Sequence, residues 1–246
     1  MTSDKAGDAG KLKIAVFELG EIPEPLARKY PYYPRMIAEW ISPSLPDADF
    51  TGMSPVTGDP LPEVDAFDGY IYSGSRHGIY EDLTWIEPLK EFIREATAAG
   101  KPQFGICFGH QIAAEALGGK AVKSDQGWGI GVHTYDMQLE VNGNTRQVPV
   151  MVMHQDQVIA VPETATVLGG NEFCPIGAVR YDNTVLTVQF HPEFSEAYME
   201  DLLELRGGVT FPTDLTEEAR KSLAQPVDSR LIADWAADFF RHNLAD

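Results

Sequence analysis

The chain has 246 residues, 43% of them hydrophobic, and a formal net charge of −18. That length and apolar content suit one large domain with a packed core. No apolar run reaches the ~18 residues needed to span a bilayer, and the acidic balance argues against nucleic acid and anionic membrane surfaces as partners.

Residues 1–11 are small and polar, without the apolar segment of a signal peptide, and are expected to form a disordered lead. The apolar run 13–19 ends at Gly20 and reads as a first buried parallel strand. Residues 21–34 are rich in Pro, Tyr and charge. They should be a long loop at that strand's C-terminal end, where α/β folds build their sites. Tyr30, Tyr32 and Tyr33 either line a pocket there or pack beneath the loop. A helix over 35–41 and a strand or strand exit over 50–56 follow. Another strand, 68–73, runs into Gly74-Ser75-Arg76-His77-Gly78.

Ile86, Leu89, Phe92, Ile93 and Ala96 recur at helical spacing and predict a helix over 85–98 that stops at Gly100. Next comes Phe104-Gly105-Ile106-Cys107-Phe108-Gly109-His110-Gln111. A short buried strand ends near Ile106, and a helix over 112–117 stops at Gly118-Gly119. Cys107 is thus expected on a sharp strand-to-helix turn with glycine two residues away on each side, the pattern of a nucleophile elbow with Cys in place of Ser. A thiol at a helix N-terminus faces free amides and the positive end of the dipole, which favour the thiolate. A buried structural cysteine is the competing reading of this window alone.

After Gly119 the pattern changes to short β-like runs over 127–137, 148–153, 165–168, 176–181 and 185–190, with a turn at Asp182-Asn183. Helices are expected over 196–205, 215–224 and 229–243, and residues 207–212 break the chain. Alternating strands and helices in the first half predict an α/β fold with a mainly parallel central sheet flanked by helices and a small antiparallel extension. Residues 12–246 form one domain, with 207–246 a C-terminal helical extension.

A cysteine nucleophile needs a base and an orienter. Of six histidines, His191 stands at the end of the apolar run 185–190 and is followed by Pro192 and Glu193. At two residues' distance, Glu193 can hold the imidazolium. Taken together, Gly105-Ile106-Cys107-Phe108-Gly109-His110-Gln111 and Gln189-Phe190-His191-Pro192-Glu193 resemble the two signature motifs of class I (triad) glutamine amidotransferases. The likeness extends over about residues 12–205.

That resemblance implies a flavodoxin-like fold and a Cys107-His191-Glu193 triad acting through a γ-glutamyl thioester. It also implies an oxyanion hole from the Phe108 amide and the Gly74–Ser75 peptide. Gln111 and the Met153-His154-Gln155 segment would meet the amino-acid end of the substrate. Gly74-Ser75-Arg76 departs from the common Gly-Gly-Pro, and Gln155 stands where a Gly is usual. No cofactor or metal is implied, since no His/Cys/Asp cluster has ligand spacing. The expected substrate is a small γ-glutamyl compound.

Two readings remain. The first is a free-standing enzyme similar to γ-glutamyl peptide hydrolases. The second is a glutaminase subunit feeding ammonia to a separate synthase partner. His110 reads as helix packing or a substrate contact, and Arg76 and His77 as a solvated loop or a carboxylate reader. Cys174 lacks a base or helix terminus and reads as structural. Two cysteines make no disulfide scaffold, so the expected compartment is the reducing cytoplasm.

Overall fold

A computed structural model describes residues 11–139 and 144–244. All but the last residue of the expected N-terminal lead lies outside the described residues. Strand β1 (Leu12–Phe17) is followed by α1 (Tyr33–Ile41), β2 (Ala48–Met53), β3 (Gly69–Tyr72), α2 (Ile86–Ala98), β4 (Gln103–Ile106) and α3 (Phe108–Ala116). Then come β5 (Lys120–Lys123), β6 (Gly129–Met137), β7 (Arg146–His154), β8 (Asp156–Ala160), β9 (Ala165–Gly170), β10 (Ala178–Tyr181) and β11 (Val185–Val188). Three helices end the chain: α4 (Glu196–Arg206), α5 (Thr213–Ser222) and α6 (Ser229–Leu244).

Nine strands form one sheet in the order β2-β1-β3-β4-β11-β10-β9-β6-β7. From β2 to β11 neighbouring strands are parallel, and from β11 to β7 they are antiparallel. The antiparallel strands therefore prolong the parallel sheet. The separate piece is the two-stranded ribbon of β5 and β8.

Both faces of β3, β4 and β11 and of the C-terminal part of β1 are buried, as their apolar runs require. Alternation along β1 sends Ile14 and Val16 to one face and Ala15 and Phe17 to the other. The first pair joins Ile37, Ile41, Ile232 and Phe240 of α1 and α6. The second joins Leu89, Phe92, Ile93 and Phe108 of α2 and α3. A third cluster packs α4 and α5 against β6 and β7 through Ile130, Met151, Tyr198, Leu202, Phe211 and Ala219. The helical extension is thus part of the core. The β10–β11 hairpin turns at Asp182, whose φ is 48°, as the sequence anticipates.

Helix α3 begins earlier than the sequence reading placed it. Its apolar spacing starts at Ile112, yet the backbone is already helical at Phe108. His110 and Gln111 look polar in sequence but are buried, so side-chain polarity hid the first turn.

Candidate active site

Strand β4 ends at Ile106 and α3 starts at Phe108, leaving Cys107 as the single residue between them. Its backbone sits at φ 53°, ψ −102°, a conformation that costs a non-glycine residue on the order of 1–3 kcal/mol. The surroundings hold it there. Cys107 N–H donates to Val188 O of β11 at 2.8 Å, and Cys107 O accepts from the amides of His110 and Gln111. The flanking glycines make the turn sterically feasible. A Cβ on Gly105 would stand 2.6 Å from Gly109 O, and one on Gly109 would run into the Tyr72 carbonyl. The Phe108 N–H opens α3, so it is one of the amides a helix start leaves without an intrahelical acceptor.

His191 lies just beyond β11, and its amide donates to Met151 O of β7 at 2.8 Å. Its Nδ1 meets Glu193 Oε1 at 2.8 Å, and both residues are buried. Phe194 stacks flat on the imidazole at 4.0 Å between centroids and 13° between planes. Behind Phe194, Tyr33 stacks in turn at 6.2 Å, and its hydroxyl shares a 3.0 Å hydrogen bond with that of Tyr198. Tyr30 packs edge-on against Tyr198. Tyr30 and Tyr33 of the aromatic loop therefore pack behind the histidine, and Tyr32 is exposed.

Burial opposes the imidazolium, but the Glu193 carboxylate and then Cys107 favour it more strongly, raising the His191 pKa to about 10. Gly74 shows how close the parts are. A Cβ placed there would stand 2.7 Å from His191 Cε1 and 3.5 Å from Cys107 Cβ. The Ser73 hydroxyl accepts from Leu19 N–H and donates to Gly74 O, both at 2.9 Å.

Cys107 opens onto a cleft of about 270 Å³ whose lining includes Ser75, Arg76, Gln111, Met153, His154 and Gln155. The structure thus brings the motif residues from three separate parts of the chain into one cavity. Gln111 is tied inward, its Nε2 donating to Asp156 O at 3.1 Å and to Gln189 Oε1 at 3.2 Å. That leaves its Oε1 as an acceptor. His154 Nδ1 lies 3.0 Å from Asp156 O and so carries the proton. Burial lowers the pKa of this ring to about 3.

Some sequence candidates fall elsewhere. His110 lies between Thr187 Oγ1 at 2.8 Å and Ile176 O at 3.1 Å. Burial lowers its pKa to about 4, and it is a packing residue. Burial raises the Cys174 thiol to about 12. Among the described residues no group of three His, Cys, Asp or Glu is arranged to hold a metal ion, and no helix is long and apolar enough to cross a membrane.

Sequence reasoning missed several cleft residues, including Tyr80, Lys123, Trp128 and Arg206. No motif marks Tyr80, Lys123 or Arg206, while Trp128-Gly129-Ile130 fits the family layout and reads in sequence as a structural element. Trp128 is held by Phe211 at 4.9 Å, edge to face, so the turn after α4 helps build the cleft wall. Phe194, next to Glu193 in sequence, was also missed. An aromatic beside a strand-end histidine is the available signal.

The model of the class I glutamine amidotransferase family matches residues 60–204, and this chain belongs to that family. A glutamine amidotransferase-like protein of Schizosaccharomyces pombe is 33% identical over 66% of this chain and 68% of its own. γ-Glutamyl peptidase 3 of Arabidopsis thaliana is 30% identical over 58% of this chain. The match spans 61% of that peptidase, less than two thirds of its length. One subunit of the glutamine-hydrolysing GMP synthase of Sulfurisphaera tokodaii is 30% identical over 60% of this chain and 80% of its own. The crystal structure of a glutamine amidotransferase from Methylobacillus flagellatus superposes with a TM-score of 0.74 over 95% of both chains at 20% identity. The expectation of a cysteine-dependent amidotransferase-type enzyme on an α/β fold is met at the level of the family and the fold.

Proposed function

We propose that the protein hydrolyses a γ-glutamyl amide bond through a thioester on Cys107, acting without a synthase partner. The observation that carries this reading is the meeting of Cys107, on its strained turn, with the buried His191–Glu193 pair at the foot of an open cleft. The Cys107 thiolate attacks the γ-carbonyl carbon. His191 gives its proton to the departing nitrogen as the C–N bond breaks, leaving a γ-glutamyl thioester. It then takes a proton from water, which attacks the thioester and releases glutamate and the thiolate. Glu193 keeps the imidazole oriented.

The developing oxyanion faces two amides. One is Phe108 N–H. The other is Ser75 N–H. In a trans peptide the carbonyl and N–H point in opposite directions, and the Gly74 carbonyl is turned to the buried Ser73 hydroxyl. The substrate's α-ammonium is met by Gln111 Oε1, and its α-carboxylate by the Met153–Gln155 backbone.

The alternative, a glutaminase subunit feeding a synthase, is favoured by the likeness to a GMP synthase subunit. The free-standing reading is supported by the cleft wall beside Cys107, where Phe211, after α4, packs against Trp128. Both cysteines are unpaired and buried, which fits a cytoplasmic location. The deciding experiment follows amine release by the purified chain from glutamine and from γ-glutamyl dipeptides. Turnover of a dipeptide with no partner sinks the subunit reading, and inactivity on every substrate sinks the hydrolase reading.

A further inference from the structure

A glutamine side chain presents an acceptor or a pair of donors, depending on which way its amide is turned. At Gln111, on the wall of the cleft, that choice decides what a substrate meets. Two partners settle it. Gln111 Nε2 lies 3.1 Å from Asp156 O and 3.2 Å from Gln189 Oε1. Asp156 O is a backbone carbonyl and can only accept, so the Gln111 atom facing it is the nitrogen. The same carbonyl accepts from His154 Nδ1 at 3.0 Å, which engages its second lone pair. With the Gln111 nitrogen turned inward, the Gln189 atom facing it is the oxygen.

Gln189 completes the arrangement. It directly follows β11 and is fully buried, and its own amide donates to Gly177 O at 2.8 Å. Its Nε2 is buried without a partner among the described residues, which costs on the order of 1–3 kcal/mol. The side chain is therefore held for its oxygen and not for its nitrogen. One acceptor decides which Gln111 atom points inward. Two acceptors, one for each hydrogen of Nε2, also fix the plane of the amide. Both hydrogens are spent inside the protein, and Oε1 is left as the cleft-side atom.

We propose that Gln189 is a positioning residue that locks the Gln111 amide with its oxygen toward the substrate, making a free α-ammonium on the γ-glutamyl group a condition of tight binding. This rests on the γ-glutamyl reading given above. An amide turned the other way would aim N–H groups at the ammonium and set Oε1 against the Asp156 carbonyl. Gln189 stands two residues before His191, so one strand end carries both the residue that sets the grip on the α-ammonium and the proposed base.

The test measures equilibrium binding to the full-length Cys107→Ala protein, which cannot form the thioester. The two ligands are γ-glutamylglycine and glutarylglycine, which differ only in the α-amino group. The expected result is at least about tenfold tighter binding of γ-glutamylglycine, in line with a hydrogen bond to a charged group. Adding Gln189→Met, which keeps the length of the side chain and removes the acceptor, should cut that preference to less than about threefold. Gln189→Glu keeps an acceptor and should keep the preference. A merely structural role would weaken both ligands alike and leave the ratio intact. If Gln189→Met fails to fold, Gln189→Glu decides alone, and loss of the preference there counts against the lock. Equal binding of the two ligands by the parent protein, or a preference that survives Gln189→Met, overturns the assignment while leaving the γ-glutamyl reading standing. Failure of both ligands to bind overturns both.

Discussion

The two flanks of Cys107 are built from different materials. On one side His191 is pinned by Glu193, covered by Phe194 and backed by Tyr33 and Tyr198, all of it buried or nearly so. On the other, residues 75–81 and Lys123 form a partly exposed rim in which Glu81 meets His77 and the Gly78 amide. In the proposed mechanism the buried flank holds the proton donor, His191, in one orientation. The rim can exchange partners as a substrate arrives. The contrast predicts that changes on the buried flank lower kcat, whereas changes on the rim raise KM.

The largest effect belongs to the residue between the flanks. Cys107→Ala should reduce turnover by more than about 10⁴-fold and abolish labelling by an electrophilic glutamine analogue. Labelling that persists would mean another nucleophile. Next, Glu193→Gln should cost roughly 10²- to 10⁴-fold in kcat with KM nearly constant, read from steady-state kinetics. An equal cost in KM would erase the distinction between the flanks. Gly74→Ala puts a methyl against His191 Cε1, and a displacement of that kind costs about 10²-fold. The clash should also lower the melting temperature, and a variant with wild-type turnover and melting temperature counts against the geometry. On the rim, Arg76→Ala should raise KM only a few-fold and weaken its salt dependence.

His191 also sets a pH signature. Its folded pKa is raised to about 10, above the ~6.5 of a free imidazole. The stabilisation from its charged form is therefore complete below about pH 6.5 and is lost as pH climbs toward 10. Melting temperatures of wild type and His191→Gln should converge over that interval. A gap that widens with pH would reverse the sign assigned to the Glu193 contact.

How much of this was legible in the sequence depended on how local each feature is. Cys107 between Gly105 and Gly109 announces a tight turn, because only glycine tolerates the backbone approaches there. His191 and Glu193 could be paired because they are two residues apart. The parallel half of the sheet showed itself as uninterrupted apolar runs. The ribbon of β5 and β8 did not. Lys120–Lys123 is four residues long with an exposed lysine at each end, so neither apolar content nor alternation marks it. That β6 and β7 continue the main sheet depends on the β6–β9 pairing, which is distant in sequence. Arg206 and Trp128 enter the cleft only because the chain reverses at 207–212 and sets Phe211 behind Trp128. No local pattern encodes that approach.

The pair formed by His110 on α3 and Thr187 on β11 has a consequence of its own. It braces the helix that starts just after Cys107 against the strand that leads to His191, and it does so with a neutral ring. The folded pKa of His110 is depressed to about 4, and that of His154 to about 3, so both rings stay neutral through the neutral range. Below about pH 6.5 the unfolded chain takes up these protons and the folded one does not, and stability drains away as acid is added. These two scaffold rings are accordingly expected to lower stability in acid whether or not the chemistry at Cys107 has already stopped.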